Sequence, residues 1–315
     1  MIRKAIIISI SGYILTKEEK KIIKKEKPWG LILFKRNILS ENQTIKLTKS
    51  IRKIMKDNKY PILIDEEGGR VSRISNFKNN SQFNQKYFGD IYNRNKDLGL
   101  ILYRAYIDSL SEILNKLGIN INTVPVLDLI TKKGHKIIGN RSFSSDSDIV
   151  NKLGKFSVNC YKKKKIATVV KHIPGHGHAN TDSHFKLPKV KNAYKLLKKE
   201  DFKCFKKTGS FFAMTAHILY TKIDNKNNVT HSQTIIKKII RKSIGFKGIL
   251  ISDDISMKAL QYNIFQNATL ALKSGCNLVL YCSGKTNEMQ KLLQEIPYID
   301  KFTKKKTSEF YKFLS

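Results

Sequence analysis

The stretch Ile166-Ala-Thr-Val-Val170 is followed at once by Lys171-His-Ile-Pro-Gly-His176. An uninterrupted apolar run of this length is typical of a strand that is covered on both faces. The charged and turn-forming residues after it predict a loop at the carboxyl end of that strand. The chain repeats this arrangement, with further short apolar runs at Ala5–Ile10, Gly30–Phe34, Tyr60–Ile64, Ile119–Leu127, Phe211–Thr215, Gly248–Ile251 and Asn277–Tyr281.

Helical patterns lie between these runs. The capping-box pattern Ser40-Glu-Asn-Gln43 predicts the start of one helix. A second ends at Gly118, a typical C-terminal cap, and a third begins at Ser232 and ends at Gly245. Eight strand–helix alternations favour a single-domain α/β fold over residues 1–315, a closed parallel (β/α)8 barrel of the TIM type rather than an open doubly wound sheet.

Two segments have weaker patterns. Residues 75–95 are polar and rich in asparagine, and we interpret them as a surface excursion. The basic tail at about 298–315 has little periodicity beyond a short last helix.

The composition is strongly basic, with 60 Lys plus Arg against 25 Asp plus Glu and a net charge of +35. Such a charge raises the hypothesis of a polyanion ligand. The lysines are spread along the whole chain beside abundant Ile, Asn, Phe and Tyr, so a compositional drift explains them without any nucleic acid. The four cysteines form no CxxC pair and indicate neither a disulfide framework nor a zinc site.

The chain contains no apolar run near the ~20 residues that a membrane helix needs. The charged start and the apolar residues 5–15 imitate a signal peptide, but no small-x-small cleavage site follows them. We therefore expect a cytoplasmic protein that binds no membrane.

The charged and polar residues concentrate directly after the predicted strands, where a barrel of this kind places its active site. They are Asp65-Glu-Glu-Gly-Gly-Arg70-Val-Ser-Arg73, Asp128, Gly139-Asn-Arg141, the segment Lys171 to His184, His217 and Ser252-Asp253-Asp254.

Two of these loops carry candidate acid–base chemistry. Asp182 and His184 are two residues apart, so on an extended loop both side chains point the same way, and the carboxylate makes the imidazole a competent proton donor. Asp253 ends a buried run and is a candidate nucleophile. An alternative is a metal site formed by the imidazoles of His172, His176 and His178. Their spacing matches no zinc motif, so we predict no metal.

The run Lys171-His-Ile-Pro-Gly-His-Gly-His-Ala-Asn-Thr-Asp-Ser-His184, together with Asp65-Glu-Glu-Gly-Gly-Arg70 and Ser252-Asp-Asp-Ile-Ser-Met257, closely resembles glycoside hydrolase family 3. Within it, the sequence is most similar to the β-N-acetylhexosaminidases of bacterial cell-wall recycling. The resemblance spans about residues 5 to 285.

The resemblance implies an enzyme without cofactor that removes terminal N-acetyl-β-D-glucosamine with retention of configuration. It implies Asp253 as nucleophile and His184 as acid/base with Asp182 as its partner. It also implies substrate-binding roles for Asp65, Arg73, Arg141, Lys171 and His172. The implied substrate is a small molecule, N-acetylglucosamine linked to anhydro-N-acetylmuramic acid with or without peptide, and the enzyme is expected to be a monomer.

The sequence departs from the family pattern at Glu66, where relatives commonly carry Gln, and in the loop after Arg73, which lacks the usual proline. Two alternatives remain open. One is phosphorolysis, with phosphate instead of water as acceptor. The other is a non-catalytic barrel that binds polyanions, which would predict loss of the catalytic residues.

Overall fold

In the computed structural model, residues 2–131, 138–179 and 186–315 are described. Eight parallel strands close a barrel in the order β1-β10-β9-β7-β5-β4-β3-β2. The barrel strands are β1 (Lys4–Ile8), β2 (Pro28–Leu33), β3 (Ile62–Ile64), β4 (Ile121–Asn122), β5 (Ala167–Ile173), β7 (Phe212–Thr215), β9 (Ile249–Asp254) and β10 (Leu278–Tyr281). A small separate sheet pairs β6 (Lys189–Val190) with β8 (Leu219–Tyr220).

Helices follow most of the strands and cover the barrel. They are α1 (Lys17–Glu26), α2 (Glu41–Met55), α3 (Gln85–Arg94), α4 (Lys96–Lys116), α5 (Ser147–Lys163), α6 (Tyr194–Lys199), α7 (Asp201–Cys204), α8 (Ile264–Ser274), α9 (Thr286–Glu295) and α10 (Lys301–Phe313). A π-type helix, Ile235–Ile244, precedes β9. The eight predicted strand runs all lie in the barrel, which confirms the single-domain (β/α)8 prediction.

The strand limits differ from the apolar runs in ways that matter for function. Of the run 119–127, only Ile121–Asn122 forms the regular strand β4. In contrast, β5 continues through Lys171 and His172, and β9 continues through Asp253. These polar side chains are therefore placed by the barrel ladder itself rather than by a loop.

The predicted helix ends are confirmed by their caps. The Ser40 hydroxyl accepts the Gln43 N–H at 3.3 Å, while the Gln43 side chain accepts from Leu39 rather than from Ser40. Gly118 and Gly245 both have positive φ, which ends their helices without a Cβ penalty. The Ser232 hydroxyl accepts the Ile235 N–H at 3.0 Å.

The interpretation of residues 75–95 as a surface excursion is wrong for its second half, which forms α3. The Asn84 side chain caps this helix. Phe88 is 2% exposed, and the centroid of its ring lies 4.6 Å from the centroid of the Tyr103 ring on α4. Tertiary packing against α4 thus stabilises a segment whose own apolar pattern is weak.

The last helix closes the amino-terminal end of the barrel. Phe310 of α10 is fully buried. The centroid of its ring lies 5.3 Å from that of Phe212 and 6.3 Å from that of Trp29. The indole N–H of Trp29 donates to the Thr307 hydroxyl at 2.9 Å. This end is filled with packed side chains, so the accessible cleft lies at the opposite, carboxyl end of the strands. Within the described part of the chain, no helix combines the length and the apolar character that spanning a membrane requires.

Candidate active site

A cleft opens at the carboxyl ends of the strands, where the sequence predicts the site. It is lined by all six of the predicted site residues that the structure describes, which are Asp65, Arg73, Arg141, Lys171, His172 and Asp253. The remaining two predicted residues, Asp182 and His184, lie outside the described residues.

One wall of the cleft is a chain of alternating charges. The Arg73 guanidinium lies 2.6 Å from Asp65 Oδ2, and Lys171 Nζ lies 2.5 Å from Asp65 Oδ1. Lys171 Nζ also lies 2.6 Å from Glu67 Oε1, and Arg141 binds both oxygens of Glu67 at 2.7 and 2.8 Å. Three cations and two carboxylates are thereby held in one row, with a bidentate pair at its end.

Lys171 is the centre of this row. Its ammonium group has three donors, and they contact Asp65, Glu67 and, at 3.1 Å, the Thr123 hydroxyl. Burial acts to lower the pKa of Lys171, but the charges of Asp65 and Glu67 outweigh it and raise the pKa. Burial likewise acts to raise the pKa of Asp65, but Lys171 and Arg73 outweigh it, and the pKa falls well below its usual range. Lys171 and Asp65 are therefore both ionised at neutral pH.

A second group of contacts orients His172. Its Nδ1 lies 2.6 Å from Oδ2 of Asp128, and Oδ1 of Asp128 accepts the backbone N–H groups of His172 and His176 at 3.2 and 2.7 Å. Asp128 is fully buried. Burial acts to raise its pKa, but the His172 imidazole outweighs this and the pKa is lowered, so Asp128 is a carboxylate acceptor.

His176 lines the cleft beside His172, and the two ring centroids are 6.0 Å apart. Burial lowers the pKa of His176 to about 4. The imidazole is therefore neutral at physiological pH and adds no charge to this side of the cleft.

Asp253 lies near the end of β9 and is half-buried in the cleft. Its Oδ1 accepts the Asp254 N–H at 2.8 Å. Burial acts to raise the pKa of Asp253, but the His217 and His172 imidazoles and the Asp254 N–H outweigh it, so that the pKa is lowered. Asp253 is an ionised carboxylate, the state that a nucleophile requires.

His217 supports the backbone beside Asp253. Its Nε2 lies 3.0 Å from the Asp254 carbonyl oxygen, and its Nδ1 lies 2.8 Å from the Thr230 hydroxyl. Nε2 therefore donates and Nδ1 accepts. Burial lowers the pKa of His217, which is consistent with this neutral tautomer.

His178 lies apart from the other two candidate metal-binding histidines. Its Nδ1 lies 2.7 Å from Asp201 Oδ2, and its Nε2 lies 3.0 Å from Glu200 Oε2. His172 pairs with Asp128 and His178 with Asp201, so the described residues do not bring together the rival metal-binding set of His172, His176 and His178. The described residues bring together a different trio, His178, Glu200 and Asp201, in which both ring nitrogens already contact a carboxylate.

Neither a role for Glu67 nor the pairing of Asp128 with His172 was predicted from the sequence. The signal for Glu67 was present, since Asp65 and Glu67 are two residues apart and alternate residues of an extended segment share a face. No local signal pairs Asp128 with His172, because the two residues meet only through the adjacency of β4 and β5.

A closed (β/α)8 barrel with an ionised aspartate and a row of charged hydrogen-bonding groups at its carboxyl end has the layout of a barrel enzyme. Residues 6–305 match the glycosyl hydrolase family 3 N-terminal domain, and the chain belongs to this family. It is 32% identical over 283 residues to the β-hexosaminidase of Nitrosomonas eutropha, covering 88% of this chain and 80% of that protein.

Solved structures agree with this assignment. NagZ from Neisseria gonorrhoeae in complex with N-trifluoroacetyl-D-glucosamine is similar over 100% of this chain and 90% of its own, with a TM-score of 0.89 and 28% identity. A family 3 β-N-acetylglucosaminidase from Paenibacillus is similar over 98% of this chain with a TM-score of 0.85 and 26% identity, and this chain spans 60% of that structure. The protein is a glycoside hydrolase of the β-N-acetylhexosaminidase type.

Proposed function

We propose that this enzyme is a retaining exo-β-N-acetylglucosaminidase that acts on peptidoglycan fragments during cell-wall recycling in the cytoplasm. The proposed substrate is N-acetylglucosaminyl-1,6-anhydro-N-acetylmuramic acid, with or without its peptide. The observation that carries the proposal is the ionised Asp253 carboxylate, which lies in one cleft with the charged row of Arg73, Asp65 and Lys171.

The contacts of the cleft support distinct binding roles. Asp65 accepts hydrogen bonds from sugar hydroxyls, because an ionised carboxylate has acceptors only. Arg73 keeps 27% of its side chain exposed and donates to hydroxyl or acetamido oxygens. Lys171 is only 3% exposed, so its main effect is to keep Asp65 and Glu67 ionised and in place. His172 and Arg141 complete the binding surface.

The proposed reaction has two steps. Asp253 forms a bond to the anomeric carbon while the glycosidic C–O bond breaks and His184, paired with Asp182, gives its proton to the leaving oxygen. Water then attacks the anomeric carbon of the glycosyl-enzyme, its proton passes to His184, and the Asp253 carboxylate is released. Two inversions at the same carbon give retention.

The similarity to NagZ from Neisseria gonorrhoeae supports the sugar, because that protein is seen with an N-acylated glucosamine. The recycling role and the leaving group rest on the resemblance of the sequence motifs. A negatively charged muramic acid fragment also suits a chain of net charge +35.

The test is release of N-acetylglucosamine from a chromogenic β-glycoside and from the natural disaccharide, followed by NMR with and without phosphate. We expect the β anomer first and no dependence on phosphate. The α anomer first would contradict retention, and a sugar 1-phosphate formed only with phosphate would show a phosphorylase.

Two variants test the catalytic roles. Asp253→Ala should abolish turnover, and azide should restore release of the sugar as its α-azide, because azide attacks from the face that Asp253 occupied. His184→Ala should slow hydrolysis of the natural disaccharide by about 10²–10⁴. Wild-type rates in either variant would refute its assigned role.

A further inference from the structure

We propose that Glu66 is a positioning residue, which sets the Arg73 guanidinium against Asp65 by binding the Arg73 backbone. This inference rests on the proposed function in one respect, that Arg73 and Asp65 bind the sugar. Glu66 itself is fully buried and is not part of the cleft wall, so it acts on the substrate only through Arg73.

Glu66 is fixed to the barrel through its own backbone. Its N–H donates to Asn122 Oδ1 at 3.1 Å, and Asn122 Nδ2 donates to the Glu66 carbonyl at 2.9 Å. Asn122 lies on β4 and is fully buried. The Glu66 backbone is therefore held by a rigid part of the fold.

The Glu66 carboxylate extends from this fixed point to the far end of the following loop. Its Oε2 accepts the backbone N–H groups of Arg73 at 2.6 Å and Ile74 at 3.3 Å. Its Oε1 accepts from Asn80 Nδ2 at 3.2 Å. These contacts join both ends of the loop from Glu66 to Ile74.

The Arg73 side chain depends on this backbone position. Its Nη2 lies 2.6 Å from Asp65 Oδ2, and its guanidinium carbon lies 5.3 Å from the centroid of the Phe34 ring. A long, partly exposed side chain has many rotamers, and only some of them reach Asp65 from a given Cα position. A displaced Arg73 backbone would weaken the pair with Asp65 and misplace the sugar-binding donors.

The groups around the Glu66 carboxylate explain why an acceptor is needed. Arg73, Ile74 and Asn80 all present N–H donors to it. Burial raises the pKa of Glu66 against the opposing effect of these donors. A glutamine keeps one acceptor oxygen for the Arg73 and Ile74 N–H groups, and its amide is accommodated if the Asn80 amide turns to present oxygen. An alanine leaves all three donors without a partner.

The experiment measures kcat and KM for a β-N-acetylglucosaminide with four variants, which are Glu66→Ala, Glu66→Gln, Arg73→Ala and the double variant Glu66→Ala/Arg73→Ala. We expect Glu66→Ala to raise KM about tenfold with a smaller change in kcat. The variant loses the hydrogen bonds that hold the Arg73 backbone, and the contact of Arg73 with Asp65 is weakened as a result. Glu66→Gln should restore KM to within about threefold of the wild type. Adding Glu66→Ala to Arg73→Ala should raise KM no further, because the two residues act through one contact.

The controls separate the two ideas. Glu18→Ala on the exposed side of α1 should leave both constants unchanged. If Arg73→Ala leaves KM unchanged, the proposed sugar-binding role of Arg73 fails. If Arg73→Ala raises KM but Glu66→Ala does not, or the two effects multiply in the double variant, the positioning role of Glu66 fails. If Glu66→Ala does not fold, Glu66→Asp, whose carboxylate is withdrawn by one methylene, replaces it with the same expectations.

Discussion

Oδ2 of Asp128 lies 2.6 Å from Nδ1 of His172, and Oδ1 of the same carboxylate accepts the backbone N–H of His176 at 2.7 Å. One buried carboxylate therefore orients the His172 ring and fixes the start of the loop that follows β5. Because Asp128 accepts at Nδ1, that nitrogen carries a proton, and the opposite nitrogen of the ring is the one available in the cleft.

Replacing this carboxylate by its amide should impair substrate binding. In Asp128→Asn, the amide nitrogen cannot accept from His172 Nδ1, so the ring loses either its orientation or its tautomer. We expect kcat/KM for the β-N-acetylglucosaminide to fall by about 10- to 100-fold, the range for losing a hydrogen bond to a charged group. Steady-state kinetics check this. The exposed carboxylate Asp97 is the matched control, and Asp97→Asn should behave as wild type.

The charged row should make the protein's stability depend on acid pH. Asp65→Asn removes a carboxylate that contacts Lys171 and Arg73, and we expect a loss of about 3–5 kcal/mol in the free energy of unfolding at pH 7. The pKa of Asp65 is lowered by folding, so this contribution is complete above the usual value of 3.8 and disappears as the pH falls through the lower folded value. Urea denaturation at pH 7, 4 and 3 should therefore show a shrinking difference from wild type. A difference that stays constant would mean that Asp65 stabilises the fold without its charge.

His178 should give the opposite pH dependence. Its hydrogen bond to Asp201 raises its pKa above 6.5, despite the effect of burial, with added contributions from the charges of Asp201 and Glu200. A raised pKa stabilises the fold below the unfolded value and the effect is lost as the pH rises through the folded value. The Tm advantage of wild type over His178→Asn should therefore be largest near pH 6 and decline towards pH 9.

His231 provides the control for this measurement. Burial lowers its pKa to about 4, so it is neutral across the whole range from pH 6 to 9. Because the unfolded imidazole takes up a proton near pH 6.5 and the folded one does not, wild type should lose stability relative to His231→Asn as the pH falls from 9 to 6, which is the opposite slope to that of His178. If the His178→Asn difference is flat or has the same slope as that of His231→Asn, His178 is not held as a cation by Asp201 and Glu200.

Gly175 should tolerate no side chain. Its φ is +140°, and a Cβ added there would lie 2.5 Å from Cβ of Asp201. We expect Gly175→Ala to destabilise the protein by about 2–4 kcal/mol through backbone strain and this contact. It should also weaken the pairing of Asp201 with His178. Gly12→Ala is the control, because no atom lies within 4 Å of its added Cβ, and chemical denaturation of both variants should separate them clearly.

The barrel was predictable because each strand is marked by a short apolar run and because polar residues follow each run. Residues 166–170 illustrate this, since the run and the following Lys171 and His172 already indicate a strand that ends at a site. The limits of the strand were not predictable. The structure continues β5 to Ile173, because pairing with β7 supplies ladder partners for residues that are polar by sequence.

Helix α3 shows where local patterns are insufficient. Its sequence is polar and weakly periodic, yet Phe88 and Tyr92 are buried. The centroid of the Phe88 ring lies 4.6 Å from that of Tyr103 and 5.1 Å from that of Tyr106, both on α4, and both pairs of rings are tilted. The partner rings belong to α4, so the stabilisation that they give to α3 cannot be predicted from the sequence of α3 alone.

The sequence by itself determined the barrel, the strand ends that carry the chemistry and the residue types placed there, because periodicity and strand-end position are local properties of the chain. Only the tertiary structure decided which charges meet. Lys171 lies between Asp65 and Glu67, and His172 faces Asp128, since the barrel brings the carboxyl ends of β3, β4 and β5 together and so joins residues that are 44 to 106 positions apart. These contacts also set the protonation states of the cleft side chains, because a pKa depends on burial and on adjacent charges. Neither quantity can be predicted from the sequence alone.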